Sequence, residues 1–370
     1  MRKPALILTL LLLMILGPSC AVEDSRDVWS GDELDNPISV VVYGDYAFVT
    51  NANFDQSAGG EGTIVSIDLR RLELENGAIA DRISAPPFLG RMVVDAAGRT
   101  AYVADRKGDQ ILLLDVSDPG NLRWIDLDTS DSEPSGIPAG REPFDVALGQ
   151  DENYLYATNL SSGDLSIIDL NARELARNML LASGVVHLAL QPDSNYLYIT
   201  NKGFSAISVF DTGRNEFVTS FTIVSGGETL GHDTRDIAFS SDGRWAYICS
   251  RVPDALLVID TEAIPNQPAE AVVEIVPLWD SPSGVVLSPE GDEIWVTNYG
   301  SEVVFVLDAQ TMDVKARVDV GRGPYDVAVT APDPDDPDAP GRYFALVTNF
   351  SAHSLSIVDS ASKQQVGRIR

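Results

Sequence analysis

Short apolar runs alternate with turn residues along the chain from about residue 36 to its end. Between residues 282 and 323 this pattern predicts four strands: one over residues 285–287, and three that end at Asn298, Asp308 and Gly321. No segment shows a sustained helical period with caps. A four-stranded sheet with two apolar faces is not stable alone in water, so further copies must cover it.

The same pattern occurs seven times. The second predicted strands end in YAFVTN, AYVAD, YLYATN, YLYITN, WAYICS, IWVTN and FALVTN, and the third end in IVSIDL, ILLLDV, LSIIDL, ISVFDT, LLVIDT, VFVLDA and LSIVDS. Each copy therefore has an aspartate at one position: Asp68, Asp115, Asp169, Asp211, Asp260, Asp308 and Asp359. An aspartate there can accept a hydrogen bond from its own backbone two residues on, which predicts a tight turn. A structural role is also predicted for the strand-end asparagines Asn51, Asn159, Asn201, Asn298 and Asn349.

With this motif, repeated every 40 to 55 residues or so, the chain resembles the YVTN family of β-propeller proteins over residues 36–370. The resemblance implies an all-β fold, a seven-bladed propeller of four-stranded antiparallel blades around a channel. The predicted blades are about 36–88, 89–142, 143–184, 185–233, 234–281, 282–323 and 324–370. If residues 366–369 form the last strand, the ring closes by side-chain packing without exchanging a strand; otherwise the chain is a piece of a longer protein.

The N-terminus has the layout of an export signal: Arg2 and Lys3, then an apolar run over residues 5–16 that is too short to span a bilayer. With the following Gly-Pro-Ser-Cys it resembles a bacterial lipoprotein signal, which implies lipidation at Cys20; ordinary signal cleavage is the alternative. We predict a signal peptide over residues 1–19 and a lipidated acidic tether over residues 20–35. The expected location is the bacterial cell envelope, as an outer-membrane lipoprotein or in the periplasm, with secretion as the alternative.

Acidic residues outnumber basic ones 55 to 26, which gives a net charge of −29. Such a charge repels phosphate backbones and argues against nucleic acid as a partner. It suits a well-solvated surface, or else the attraction of cations or a basic partner. With Cys20 lipidated no disulfide can form, and Cys249 is predicted to be an inert, buried thiol.

Candidate chemistry gathers where the chain enters each blade, because the first strand of a propeller blade borders the axis. Alignment of the copies gives equivalent starting positions to Ser39, Arg91, Asp145, His187, Asp236, Gly284 and Asp326. The preceding positions add Phe144, Arg235 and Tyr325, and loops on the same face, the channel mouth, carry Tyr299, Phe350, Phe204, Trp279, His232 and His353. The longest insertions, over residues 53–62 and 126–142, are also expected at this mouth, either as binding loops or as disordered polar spacers.

From this set we predict ligand contacts by Arg91, Asp145, His187, Arg235, Asp236 and Asp326, and protein contacts by Phe144, Tyr299, Tyr325 and Phe350. Three converging aspartates must be hydrated, bonded to backbone amides, paired with Arg91 and Arg235, or neutralised by a cation. No cofactor is predicted, although a divalent cation is possible. His187, His232 and Asp236 are metal candidates only if the loop over residues 225–233 folds inward.

The expected function is that of a non-catalytic binding or scaffold module, which holds an envelope protein, peptide or glycan at the channel mouth. Motifs for haem attachment, a nucleophile elbow, a phosphate loop and a zinc helix are all missing from the sequence. The propeller lactonases share the implied architecture, so the alternative is a lactonase-like or metal-dependent hydrolase that uses the axial carboxylates and His187. A structural envelope protein is a third possibility. Three axial aspartates that are each bonded to backbone amides, with no open pocket, would remove the basis for the hydrolase.

Overall fold

The computed structural model describes residues 34–54, 61–130, 133–225, 228–229, 232–264, 267, 270–332 and 341–370. Within them the chain forms seven antiparallel blade sheets, each built from consecutive strands; six have four strands, and the second along the chain has a fifth, short strand. The predicted fold class, a seven-bladed β-propeller, is confirmed. The predicted signal peptide, Cys20 and most of the predicted tether lie outside the described residues.

The strands of each blade are given in chain order. Blade 1 contains Pro37–Tyr43, Tyr46–Asn51, Gly62–Asp68 and Ile79–Ala85; blade 2 contains Leu89–Val94, Thr100–Asp105, Gln110–Asp115 and Arg123–Trp124; blade 3 contains Pro143–Leu148, Tyr154–Asn159, Asp164–Asp169 and Glu174–Leu180. Blade 4 contains Val185–Leu190, Tyr196–Asn201, Ala206–Asp211 and Glu216–Thr222; blade 5 contains Thr234–Phe239, Trp245–Arg251, Asp254–Asp260 and Val272–Pro277. Blade 6 contains Pro282–Leu287, Glu293–Asn298, Val303–Asp308 and Val314–Asp319; blade 7 contains Pro324–Val329, Phe344–Asn349, Ser354–Asp359 and Gln364–Ile369.

Few other elements occur in the described ranges. Val224–Ser225 pairs with Glu228–Thr229 in a small hairpin between blades 4 and 5. The 3₁₀ helices are Leu69–Ala78, Thr261–Ala263 and Phe350–Ala352. None of the helices in the described part of the chain is long and apolar enough to cross a membrane.

The repeated aspartates form the predicted turns. In every blade the carboxylate after the third strand accepts a hydrogen bond from the backbone N–H two residues on, at N–O distances from 2.9 to 3.2 Å. The strand-end asparagines also make structural contacts, as between Asn349 Nδ2 and Ser356 Oγ at 2.9 Å. The structural roles predicted for both sets are therefore confirmed.

Apolar packing between neighbouring blades closes the ring. Blades 1 and 7 each have four strands of their own, and no strand pairs between them in the described ranges. Val49 and Val65 of blade 1 share a buried cluster with Leu355 and Ile357 of blade 7. This confirms the prediction that the ring closes by side-chain packing, without exchange of a strand. Leu34, which the sequence assigns to the tether, is fully buried in the same cluster because it is apolar and fits the groove between the two blades.

Blade 2 departs from the expected layout at its outer edge. Arg123–Trp124 and Ile137–Pro138 both pair with its third strand, so an excursion that includes the described residues 126–130 and 133–136 interrupts an outermost strand. The expectation that this whole insertion lies at the channel mouth is therefore wrong. Ile137 is fully buried and returns the chain to the sheet, and Asp126 closes the excursion by accepting hydrogen bonds from Ser135.

Candidate functional site

A break in strand pairing at the start of each blade positions the axial side chains. Every first strand shows a shift of register against the second strand. In blade 2 the shift lies between Leu89 and Met92 and so brackets Arg91. A bulge of this kind bends a strand and changes the direction of its side chains. The starting residues of different blades thereby meet near the axis.

Five of the predicted site residues come together there, and we call Arg91, Asp145, His187, Asp236 and Asp326 the axial hub. Arg91 forms a bidentate ion pair with Asp236, at 2.7 Å (Nη1–Oδ1) and 3.0 Å (Nη2–Oδ2), and a second ion pair with Asp326. Its Nη1 lies 3.6 Å from Asp145 Oδ2. His187 Nδ1 lies 3.1 Å from the same Asp145 oxygen. The hub thus joins residues of blades 2, 3, 4, 5 and 7.

Each hub carboxylate also accepts hydrogen bonds from backbone amides. The donors are Val146 and Leu188 to Asp145 (2.8 and 3.3 Å), Val285 to Asp236 (3.2 Å), and Val327 and Val40 to Asp326 (both 3.0 Å). Leu188, Val285 and Val40 belong to the blade that follows the aspartate around the ring. The carboxylates therefore connect blade 3 to blade 4, blade 5 to blade 6, and blade 7 to blade 1.

Burial and the charge of Arg91 together shift the pKa values of three hub residues. Burial raises the pKa of Asp326 to about 6, although the Arg91 charge acts against this. Burial also acts to raise the pKa of Asp236, but the Arg91 charge overcomes it and holds that pKa below its usual value. Burial and the nearby Arg91 charge lower the pKa of His187, so its imidazole is neutral at neutral pH.

These contacts give the hub a structural role. The side chains of the three aspartates are 5 to 8% exposed and that of His187 is 2% exposed. A general base must reach the proton that it removes, whereas here every carboxylate is already held by Arg91 or by backbone N–H groups. One of the two conditions set from the sequence against the hydrolase, carboxylates bonded to backbone amides, is therefore met.

Two other predicted site residues have different partners. Arg235 pairs with Asp233, two residues earlier, at 2.8 Å (Nε–Oδ1) and 2.9 Å (Nη2–Oδ2), so it does not neutralise the hub. His232 Nδ1 lies 2.9 Å from Ser205 Oγ. Among the described residues no group of three or more His, Cys, Asp or Glu side chains is arranged to hold a metal ion.

Aromatic side chains form a connected surface at the channel mouth. Tyr299, Tyr325 and Phe350 have ring centroids 6.0 to 6.2 Å apart, and Phe54 lies 5.5 Å from Phe350. We call these four residues the aromatic shelf; each is partly exposed. Phe144, which is predicted to contact a partner, is instead buried and packs edge-on against the His187 ring at 5.2 Å.

Arginines line the same mouth. Arg106 lies over the rings of Phe54 and Phe144, at 5.2 and 5.3 Å, and pairs with Glu142. Arg251 lies over the Tyr299 ring at 5.3 Å. Both residues were missed from the sequence, although the signal was present. Arg106 directly follows the second strand of blade 2, as Tyr299 and Phe350 do in blades 6 and 7, and Arg251 is the last residue of the second strand of blade 5.

The remaining predicted mouth residues lie outside the shelf. Phe204 and Trp279 are 53% and 52% exposed, and the Trp279 ring packs against Phe305 and Arg317. His353 contacts Asp35 at 2.9 Å (Nδ1–Oδ1), which ties the start of the described chain to blade 7. Ser39 is buried. Gly284 leaves room for the backbone of Tyr325.

Sequence comparison gives the family. A family model described as "Lactonase, 7-bladed beta-propeller" matches residues 138–330, which is more than half of the chain. The chain belongs to the seven-bladed β-propeller lactonase family. No curated protein matches the sequence of this lactonase-family chain.

Solved structures similar to this lactonase-family chain share its fold. Kuenenia stuttgartiensis hydrazine synthase is 17% identical with a TM-score of 0.68, over 89% of this chain and 96% of that chain. A putative 6-phosphogluconolactonase from Bacteroides fragilis NCTC 9343 is 14% identical with a TM-score of 0.58, over 78% and 85%. One from Bacteroides uniformis ATCC 8492 is 15% identical with a TM-score of 0.58, over 75% and 83%. At these identities the likeness shows the fold alone.

Proposed function

We propose that this lactonase-family chain is a non-catalytic binding module of the YVTN type, whose contact face is the channel mouth. One observation carries the proposal: the axial carboxylates are held by Arg91 and backbone amides, whereas Tyr299, Tyr325 and Phe350 remain partly exposed above them. The chain then uses its hub to hold the blades and its mouth to make contacts.

The composition of the mouth supports this proposal. Tyrosine and arginine are enriched among the residues that dominate binding energy at protein interfaces, and both meet where Arg251 lies over Tyr299. The aromatic shelf is carried by loops on a rigid ring, a common arrangement for binding residues. We propose an envelope protein, peptide or glycan as the partner. Export and lipidation at Cys20, with an outer-membrane or periplasmic location, belong to the same proposal.

Lactone hydrolysis is the second candidate function. The family match favours it, as does the contact of 3.1 Å between His187 and Asp145, which orients the imidazole as a histidine–carboxylate pair. In this alternative His187 is the general base for attack of water on a sugar lactone. The near-complete burial of His187 beneath Phe144 weighs against it.

Co-purification from an envelope fraction tests the first proposal. We expect the double variant Tyr299→Ala/Phe350→Ala to lose the partners that the native protein retains, while its melting temperature stays within about 3 °C of native. The matched control Tyr196→Ala/Phe217→Ala removes partly exposed rings from blade 4, away from the mouth. Equal recovery of partners by the native protein and the mouth variant would contradict the proposal.

A hydrolysis assay decides between the two candidates. We expect native protein to hydrolyse 6-phosphogluconolactone no faster than buffer. Turnover that is absent from a folded His187→Asn variant would establish the hydrolase and overturn the binding-only function.

A further inference from the structure

Arg251 has no acidic partner at the channel mouth. No described carboxylate lies within 4.0 Å of its guanidinium group, although the chain has 55 acidic residues. Its described hydrogen-bond acceptors are neutral: the Pro282 carbonyl oxygen, 3.2 Å from Nε, and the Ser283 hydroxyl. By contrast, Arg106 and Arg235 at the same mouth pair with Glu142 and Asp233. Arg251 is therefore a half-buried cation with its charge uncompensated by a direct ion pair.

Neighbouring positive charges favour a bound anion at this position. Burial and then the Arg235 charge lower the pKa of Arg251, while Tyr325 and the Asp233 charge act to raise it. Burial also raises the pKa of Tyr325, while the charges of Arg235, Arg91, Arg251 and Arg106 act to lower it. Four guanidinium groups thus act on one phenol at the centre of the mouth. An anion bound beside Arg251 would offset these positive charges.

An apolar surface adjoins this position. The Arg251 guanidinium lies over Tyr299, whose ring is 6.2 Å from that of Phe350, and Phe54 continues the shelf 5.5 Å further on. A ligand with a charged end at Arg251 would therefore lay an apolar body on Phe350.

We propose that Arg251, together with the aromatic shelf, binds a small organic carboxylate that has an aromatic or aliphatic body. This inference rests on the proposed function and names the ligand class of the same mouth. The planar guanidinium matches a carboxylate through paired N–H donors. The net charge of −29 repels a polyanion strongly, because every charge of the polyanion adds to the repulsion. A small monoanion carries one charge, and salt screens its interaction with protein charges that are more than about 8 Å away at physiological ionic strength. A small acid therefore fits better than an acidic protein.

Isothermal titration calorimetry with phenylacetate as the probe tests the proposal. Acetate lacks the ring and phenylacetamide lacks the charge. We expect phenylacetate to bind native protein at least about tenfold more tightly than either analogue, because only phenylacetate combines a charged hydrogen bond with burial of a ring. Absence of phenylacetate binding up to about 10 mM, or equal binding of phenylacetamide, would overturn the proposal.

Two variants locate the site. Arg251→Gln should weaken phenylacetate binding about tenfold or more, whereas Arg244→Gln, in an exposed turn at the opposite end of blade 5, should leave it unchanged. Phe350→Ala should weaken phenylacetate binding but leave acetate binding unchanged, which keeps the test valid if Arg251→Gln fails to fold. Unchanged phenylacetate binding by folded Arg251→Gln or by Phe350→Ala would overturn the assignment.

The titration also separates this inference from the function on which it rests. If phenylacetate does not bind, but Tyr299→Ala/Phe350→Ala still loses its envelope partners, only the ligand class is wrong. If both results are negative, the mouth is not a binding site.

Discussion

Arg91 of blade 2 and Asp236 of blade 5 form a bidentate ion pair across the axis of the ring, at 2.7 and 3.0 Å. Asp236 also accepts a hydrogen bond from the Val285 amide of blade 6. The pair therefore links blades that are distant along the chain. The carboxylates that sequence analysis marks as candidate chemistry are structural contacts of the propeller.

Replacing Arg91 should destabilise the fold strongly. Arg91→Met leaves three buried carboxylates without their guanidinium, and the loss of one partner from a buried ion pair reduces the free energy of unfolding by about 3–5 kcal/mol. Urea unfolding measures the change. Arg244→Met is the control, because Arg244 is about half exposed and its ion pairs should contribute less than about 1 kcal/mol. Similar losses in both variants would contradict the structural role of the hub.

Asp326 should make stability depend on pH in an unusual direction. Its pKa is raised from 3.8 to about 6 in the folded protein, so the unfolded chain releases this proton first as pH rises from about 4 to about 6. Over that window the native protein should lose as much as about 3 kcal/mol of stability relative to Asp326→Asn. The His187 contribution, which has the opposite sign below about pH 6.5, is present in both proteins. A stability difference that is independent of pH from about 4 to about 7 would exclude this titration.

A second buried charge network joins blades 6 and 7 away from the mouth. Glu293 accepts hydrogen bonds from Lys315 and Lys363 Nζ at 3.0 and 2.5 Å, and from Tyr343 Oη at 2.9 Å. Glu293→Gln should lower the free energy of unfolding by about 1.5–3 kcal/mol, because these are hydrogen bonds to a buried charge. Glu290→Gln, at an exposed turn residue nearby, should change it by less than about 0.5 kcal/mol. Equal effects in denaturant unfolding would contradict the network.

Gly284 should tolerate no side chain at the axis. A Cβ atom there would lie 2.7 Å from the Tyr325 carbonyl oxygen and 3.1 Å from Asp326 Cα. Gly284→Ala should therefore destabilise the protein by about 1–3 kcal/mol, as overpacking does. Gly120→Ala is the control, because its Cβ would meet only Asp118 Oδ1, at 3.5 Å. Native-like thermal unfolding of Gly284→Ala would show that blade 7 can move away from this residue.

Features that depend on local sequence could be predicted. The turn aspartates bond their own backbone two residues on, so a motif search finds them, as at Asp68 and Asp308. The meeting of Arg91 with Asp236 follows from sevenfold repetition, which brings equivalent positions to one axis. These two properties predict the fold and the hub.

Features that depend on competition between side chains could not be predicted. Arg235 faces the mouth, but Asp233 is nearer than any hub carboxylate and pairs with it. The burial of Leu34 depends on a groove that exists only once blades 1 and 7 have met. Arg251 was missed because the second strand of its blade ends in Cys-Ser-Arg where blades 6 and 7 have Thr-Asn followed by an aromatic residue, which disguises the equivalent position.

Anomalous diffraction from crystals of the native protein soaked in 4-bromophenylacetate tests most directly whether the mouth, and not the hub, receives a ligand. The structure predicts a bromine peak against Phe350, with the carboxylate in hydrogen-bond contact with Arg251. A peak elsewhere on the ring, or displacement of Arg91 from Asp236 by the soaked acid, would contradict it.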